Sequence, residues 1–180
     1  VLKFDEAMAT LGKQEVDAEL AVSVLEEAGR FCARRLHPLN RTGDEQGSRL
    51  VSGAVETPAG FAEAYRVFAD GGWTSLSADP AVGGQGLPFI VQLWFDEMVS
   101  ACNLSFGLFP GLSRGATEAI GAHAHQELKD AYLPRLVSGE WTGAMALTEG
   151  GAGTDLGLLK TKATPNNDGS YAVTGQKIFI

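Results

Sequence analysis

Ala144–Ala163 reads AMALTEGGAGTDLGLLKTKA, and the reading of this stretch decides the fold. A short apolar run leads into a glycine-rich loop, Leu147–Asp155, with two hydroxyls and two carboxylates. A second β-like run follows. No Gly-Lys-Ser/Thr comes next, so this is not a phosphate loop of the common type. Gly150, Gly151 and Gly153 lack a Cβ, which permits positive φ and a close approach of ligand to backbone. Thr148 and Thr154 supply hydroxyls that donate or accept. Glu149 and Asp155 are unfavourable neighbours for a bare pyrophosphate. Their charge tilts the loop toward the edge of a neutral ring or a thioester carbonyl. Without a ligand, the same string is a glycine-rich connection between strands, with Asp155 bonding the loop backbone.

Working outward, Trp141–Leu147 is a short strand candidate and Leu158–Thr164 a second. Pro165–Gly169, PNNDG, is a strong turn signal. Tyr171–Ile180, rich in β-branched and aromatic residues, is a third strand. Upstream the pattern changes to helices. Val16, Leu20, Val24, Leu25, Ala28, Phe31 and Cys32 follow one helical face from Val16 to Leu36. His37-Pro38 is expected to stop that helix, and Asn40–Val55 to be a long surface loop. Thr57-Pro58 is a helix start, and Gly71-Gly72 its end. A loop, Trp73–Pro88, precedes helices at Phe89–Cys102, Leu112–His123 and Gln126–Val137, the last closed by Gly139. The sum is an α+β chain: an all-α N-terminal domain over residues 1–138, then the first strands of a β-barrel-like domain over 139–180.

Composition narrows the function classes. The 180 residues are 44% hydrophobic and 20% charged, as in a soluble globular protein. A net charge of -8 argues against nucleic acid as a partner. The two cysteines, Cys32 and Cys102, stand alone, which suits a reducing, cytoplasmic compartment better than a disulfide framework. The polar, acidic opening stretch is no signal peptide. No apolar run nears the roughly 20 residues of a membrane span, so no stable membrane insertion is expected. The absence of an initial Met and the ending within a strand-like run suggest a fragment of a longer protein.

Few side chains outside the loop suggest chemistry. His123 and His125 are two apart, which is not metal-ligand spacing on a helix, so no metal site is expected. Asp96 and Glu97 read as a solvated helix face rather than a catalytic pair. Trp73, Trp94 and Trp141 read as core anchors. Phe106–Leu112, FGLFPGL, suits either an acyl pocket or the core.

AMALTEGGAGTDLGLLKTKA followed by YAVTGQKIFI closely resembles the flavin-binding signature of the acyl-CoA dehydrogenase family. There a Thr-Glu-Pro-x-x-Gly-Ser/Thr-Asp string is followed, across a hairpin, by Gly-x-Lys and an aromatic. GWTSLSADPAVGGQGLP and LPRLVSGE also resemble family segments, so the likeness covers most of the chain. PLNRTGDEQG and ADPAVGGQGLP resemble the branch that includes 3-(methylthio)propanoyl-CoA dehydrogenases. Two departures stand out: Gly150 replaces the usual proline, and Leu158 a small residue.

The resemblance implies an FAD-dependent enzyme of fatty acid metabolism and β-oxidation. It would convert an acyl-CoA to a trans-2-enoyl-CoA, pass electrons to an electron-transferring flavoprotein, and be a homo-oligomer at full length. It implies cofactor contacts at Met145, Leu147, Thr148, Gly153, Thr154, Phe179 and Ile180. Thr148 matches the hydroxyl on the pyrimidine edge of the flavin, Thr154 also touches the CoA substrate, and Phe179 packs on the ring. The catalytic base, a Glu of a C-terminal domain in most members, is not among these residues, so no catalytic residue is assigned here. The isolated 180 residues are expected to be inactive and to retain little FAD. Two alternatives share the scaffold: an acyl-CoA oxidase, and a non-catalytic binding or oligomerisation module.

Overall fold

The computed structural model describes residues 3–180. The chain divides after Gly143 into two compact units, the second being Ala144–Ile180. The first unit is helical. α1 (Phe4–Thr10) buries Met8, an element that the acidic opening stretch does not announce. α2 (Ala18–Phe31) starts where the Asp17 carboxylate accepts the Leu20 amide at 2.8 Å, a cap on the third helical residue. Ala21, Ala28 and Phe31 form its buried face. Leu20, expected on that face, is exposed because it lies one position off this stripe.

The helix stop expected at His37-Pro38 does not occur. The backbone widens into a π-turn at Cys32–Leu36, with the His37 amide bonded to the Cys32 carbonyl five residues back. Pro38 then falls in the first turn of α3 (His37–Gln46), where its missing N–H breaks no bond. Half of the expected surface loop is therefore helix. The other half is a hairpin of β1 (Arg49–Val51) and β2 (Ala54–Glu56), with Leu50 opposite Val55. Ser52 and Gly53 both take positive φ, 50° and 85°, the geometry of a two-residue turn that matches strand twist.

α4 (Phe61–Asp70) does not start at Thr57-Pro58. Gly60, left-handed at φ 88°, turns the chain in, and the Pro58 carbonyl accepts the Phe61 amide. At the other end Gly71-Gly72 close the helix as expected. Gly72 sits at φ 75°, its amide on the Ala69 carbonyl and the Trp73 amide on that of Phe68. Trp73–Pro88 is the expected loop, laced by Gln85 N–H to Ser75, Gly86 N–H to Ala78 and Leu87 N–H to Leu76. Gly84 lies so close to Ala78 that a Cβ would collide with its carbonyl.

α5 (Phe89–His123) runs through the stretch expected to separate two helices. It is broken at one residue, Asn103 (φ -160°, ψ 88°), so FGLFPGL, with Pro110, is helical. Asn103 is buried. Its Oδ1 caps the second segment by accepting the Phe106 amide at 3.0 Å, and its Nδ2 donates to the Leu36 carbonyl at 3.2 Å. α6 (Gln126–Val137) ends as expected, with Gly139 at φ 79°. The Thr74 hydroxyl donates to the Val137 carbonyl and the Tyr65 hydroxyl to that of Gly139.

The core of this unit is aromatic. Trp73 stacks on Phe95 at 4.9 Å, and Phe68 meets Phe95 and Phe106 at 5.8 and 5.4 Å. Trp73 and Trp94 pack against it as expected. Trp141 does not: it is 38% exposed, beside Tyr132 and under the Arg135 guanidinium at 4.5 Å.

The second unit is mostly irregular. Trp141–Leu147 forms no strand. Leu156–Leu158 is a 3₁₀ turn, and the strand expected from Leu158 begins at Lys162. β3 (Lys162–Pro165) pairs antiparallel with β4 (Tyr171–Thr174), in register Lys162↔Thr174 to Pro165↔Tyr171. The turn between them is the expected one, with Gly169 at φ 84° and the Asp168 carboxylate accepting the Ser170 amide and hydroxyl. The rest of Tyr171–Ile180 is unpaired. A strand is defined by its ladder, and among the described residues these runs join no further ladder.

Candidate functional site

Leu147–Asp155 folds as a tight loop around Gly150-Gly151. Glu149 and Ala152 exchange amide–carbonyl bonds at 3.0 and 3.1 Å across this two-residue turn. None of Gly150, Gly151 and Gly153 takes positive φ. The conformational freedom expected of them is unused, and what they offer is space: a Cβ on any of the three meets nothing within 4 Å. Asp155 caps the 3₁₀ turn after the loop, accepting the Gly157 amide at 2.9 Å.

Glu149 is the residue whose role the sequence reading missed. It is turned inward and only 8% exposed. Oε1 accepts from the Thr161 hydroxyl at 2.6 Å, the Thr161 amide at 3.0 Å and Lys177 Nζ at 3.0 Å. Oε2 accepts from the Lys160 amide at 2.8 Å. The Thr161 hydroxyl first, then the Lys160 amide and Lys177, hold this carboxyl at about 2, well below its usual 4.5. Its charge is thus spent on Lys177 and two amides, and it does not oppose an anion at the loop. The case against a pyrophosphate loses its Glu149 part. An acidic residue just before Gly-Gly and a lysine in the apolar run Gly175–Ile180 were the available signal.

The same contacts gather several of the expected cofactor residues. Lys177 Nζ also donates to the Leu147 carbonyl at 2.8 Å, and the Ile178 amide to the Thr148 carbonyl at 3.0 Å. Leu147 and Thr148 therefore lie beside Lys177–Phe179. Met145, Gly153, Thr154, Phe179 and Ile180 are exposed, Phe179 at 89%. Among the described residues, no hydrogen bond ties Met145, Gly153 or Thr154 to that pair of segments. A cleft of about 320 Å³ opens among Glu149, Gly150, Gly151, Leu158, Gln176 and Ile178. None of the seven expected residues lines it.

The donor set suits a flavin. Among the described residues, the amides of Gly150, Gly151, Gly153 and Thr154 have no protein acceptor, and the hydroxyls of Thr148 and Thr154 have no protein partner. Free amides and hydroxyls match the alternating carbonyls and nitrogens of an isoalloxazine edge. Exposed Met145 and Phe179 offer apolar surface for its rings.

The first unit holds the other candidates. Glu97 is exposed, as expected, but Asp96 is half-buried. Arg114 grips it with both guanidinium nitrogens, at 2.6 and 3.0 Å, and Gln92 donates to it at 2.8 Å. Phe106 is core, as one reading of FGLFPGL expects, and Phe109 is half exposed. The two line a cleft of about 620 Å³ with Phe61 and Tyr65. His123 sits at the C-terminus of α5 and His125 precedes α6, neither in a metal cluster among the described residues.

Comparison with known proteins agrees with this picture. The chain is 43% identical over 175 residues to 3-methylmercaptopropionyl-CoA dehydrogenase of Ruegeria pomeroyi, covering 97% of this chain and 29% of that protein. Its fold matches butyryl-CoA dehydrogenase from Megasphaera elsdenii with a TM-score of 0.76 at 22% identity, over 91% of this chain and 41% of that one. It matches an acyl-CoA dehydrogenase complexed with FAD from Bacillus anthracis with a TM-score of 0.74 at 23% identity, over 91% of this chain and 26% of that one. The chain thus spans under a third of the relative it matches by sequence. The model of the acyl-CoA dehydrogenase N-terminal domain matches residues 18–140, more than half of the sequence, and the chain belongs to the acyl-CoA dehydrogenase family.

Proposed function

We propose that this chain is the N-terminal part of an FAD-dependent acyl-CoA dehydrogenase. Residues 1–138 would be its helical domain and 139–180 the opening of its β domain. The observation that carries the reading is the Leu147–Asp155 loop, with free amides at Gly150, Gly151, Gly153 and Thr154 and with Thr148 bonded through its carbonyl to Ile178, the neighbour of exposed Phe179. The reaction removes the α-proton and the β-hydride of an acyl-CoA and yields a trans-2-enoyl-CoA; bound FAD supplies the hydride acceptor. Thr148 and the loop amides would hold the polar edge of the flavin, Met145, Leu147, Phe179 and Ile180 its apolar faces, and Gly153 would let it approach the backbone. Thr154 would reach both the cofactor and the CoA portion of the substrate. Hydrogen bonds to the thioester carbonyl stabilise the charge that develops as the α-proton leaves. The base that takes this proton is not assigned to any of these residues. An electron-transferring flavoprotein as acceptor, homo-oligomerisation, a cytoplasmic location and a place in β-oxidation complete the proposal.

The test uses the full-length protein that contains this segment. It should purify with, or take up, FAD, and its flavin absorbance should bleach with an acyl-CoA under nitrogen. A thioether acyl-CoA is the first to try, given the 43% identical relative. Failure to bind FAD would overturn the reading. Stoichiometric peroxide formation in air would make the protein an oxidase.

A further inference from the structure

Glu149 and Lys177 are 28 residues apart and contribute nothing to the proposed contacts with cofactor or substrate. Both are nonetheless withdrawn from solvent, with side chains 9% and 20% exposed. One carboxylate accepts four hydrogen bonds from two segments, Lys160–Thr161 and Lys177. Lys177 adds a bond to the Leu147 carbonyl, next to Thr148. The Ile178 amide then bonds to the Thr148 carbonyl itself. Gly175 completes the arrangement: a Cβ there would collide with the Thr161 side chain, so only glycine lets Thr161 come this close. Three stretches of an otherwise irregular unit thus converge on one ion pair.

We infer that Glu149 and Lys177 are positioning residues, a buried latch that sets Thr148 and Phe179 in the relative placement a flavin requires. This rests on the reading of the chain as a flavoprotein segment. The physical reason is the weakness of the alternatives. β3 and β4 pair only with each other, and both are exposed throughout. Among the described residues, no ladder ties the Thr148 loop to the Lys177–Phe179 run and the hydrophobic core cluster includes neither, whereas the ion pair with its attendant amides joins them. Desolvated, hydrogen-bonded charge pairs fix geometry more sharply than apolar contact. Thr148 and Phe179 each lie next in sequence to a latch residue or its bonded neighbour, so a loosened latch displaces both.

The experiment compares FAD affinity of the full-length protein with that of Lys177→Met, Glu149→Gln and Lys177→Arg, each checked for folding by circular dichroism. Lys177→Met and Glu149→Gln should each weaken FAD binding at least tenfold, and the double variant by no more than either alone. Lys177→Arg keeps the charge and should recover at least half of that loss on a logarithmic scale. A smaller loss in either single variant, or no recovery with arginine, overturns the latch. Thr161→Val, nearly isosteric and missing one donor, covers the case in which the charge variants do not fold. It should weaken FAD binding at least twofold, and parental affinity would overturn the proposal. A parent protein that binds no FAD overturns the functional reading, whereas a parent that binds it no better than its variants overturns the latch alone.

Discussion

Asn103→Ala should be among the most destabilising single changes in the helical unit. Asn103 is 1% exposed and makes two hydrogen bonds that hold different elements. Its Oδ1 accepts the Phe106 amide at 3.0 Å and so starts the second segment of α5. Its Nδ2 donates to the Leu36 carbonyl at the end of the π-turn. Loss of the cap costs about 1 kcal/mol. Loss of the second bond in a site closed to water costs roughly another 1 to 2 kcal/mol. The sum of about 2 to 3 kcal/mol corresponds to a fall in Tm on the order of 4 to 12 °C for a chain of this size. Equilibrium urea unfolding followed by circular dichroism reads it directly. Asn103→Ser keeps an acceptor for the Phe106 amide and should recover about 1 kcal/mol of the loss. A loss below about 0.5 kcal/mol for alanine, or a serine variant no better than alanine, would show that this break is held by packing around it and not by the two bonds.

Three further outcomes follow from particular residues. Glu149 has its folded pKa depressed to about 2 from 4.5, so its stabilisation is full above the unfolded value and is lost as pH falls from about 4.5 through about 2. Carboxyl NMR should find its midpoint near the lower figure, and a midpoint near 4.5 would contradict the four-bond geometry. Gly84→Ala sets a Cβ against the Ala78 carbonyl, where neither backbone yields easily. It should cost about 1 to 3 kcal/mol in denaturant unfolding, and an unchanged midpoint would refute the contact. Gly150→Pro restores the residue usual in related loops where φ is not positive and no bond of the Gly150 amide is broken. It should raise stability by about 0.4 to 1 kcal/mol, through lost freedom of the unfolded chain, and a drop in Tm would refute the loop geometry.

Where sequence and structure part company, the reasons are local. The dipeptide His37-Pro38 reads as a stop because proline forbids the helical state to its neighbour in most contexts. Here His37 stays helical in front of Pro38, directly after a π-turn, and no composition rule announces that. The helix expected over Phe89–Cys102 does end there, but the next segment follows at once instead of at Leu112, because buried Asn103 makes the break in one residue with its two partners. Thr57 reads as a cap, but Gly60 turns the chain before Thr57 can serve. In the loop, the glycines were legible as open backbone, whereas Glu149 was misread as an exposed charge because its partners lie 11 to 28 residues downstream.

The sequence by itself determined the helical character of the first unit, the caps at Gly71-Gly72 and Gly139, the turn at Pro165–Gly169, and the family, through the Ala144–Ile180 signature and its likeness over most of the chain. These are properties of neighbouring residues, set by backbone sterics and hydrogen bonds within a few positions. Only the tertiary structure decided that α5 resumes directly after Asn103, which strands have a ladder, and that Glu149 binds Lys177, because each depends on a partner remote in sequence. A buried carboxylate and an exposed one are the same letter. The donors that fold brings to Glu149 turn it from an obstacle to a ligand into the element that orders the loop.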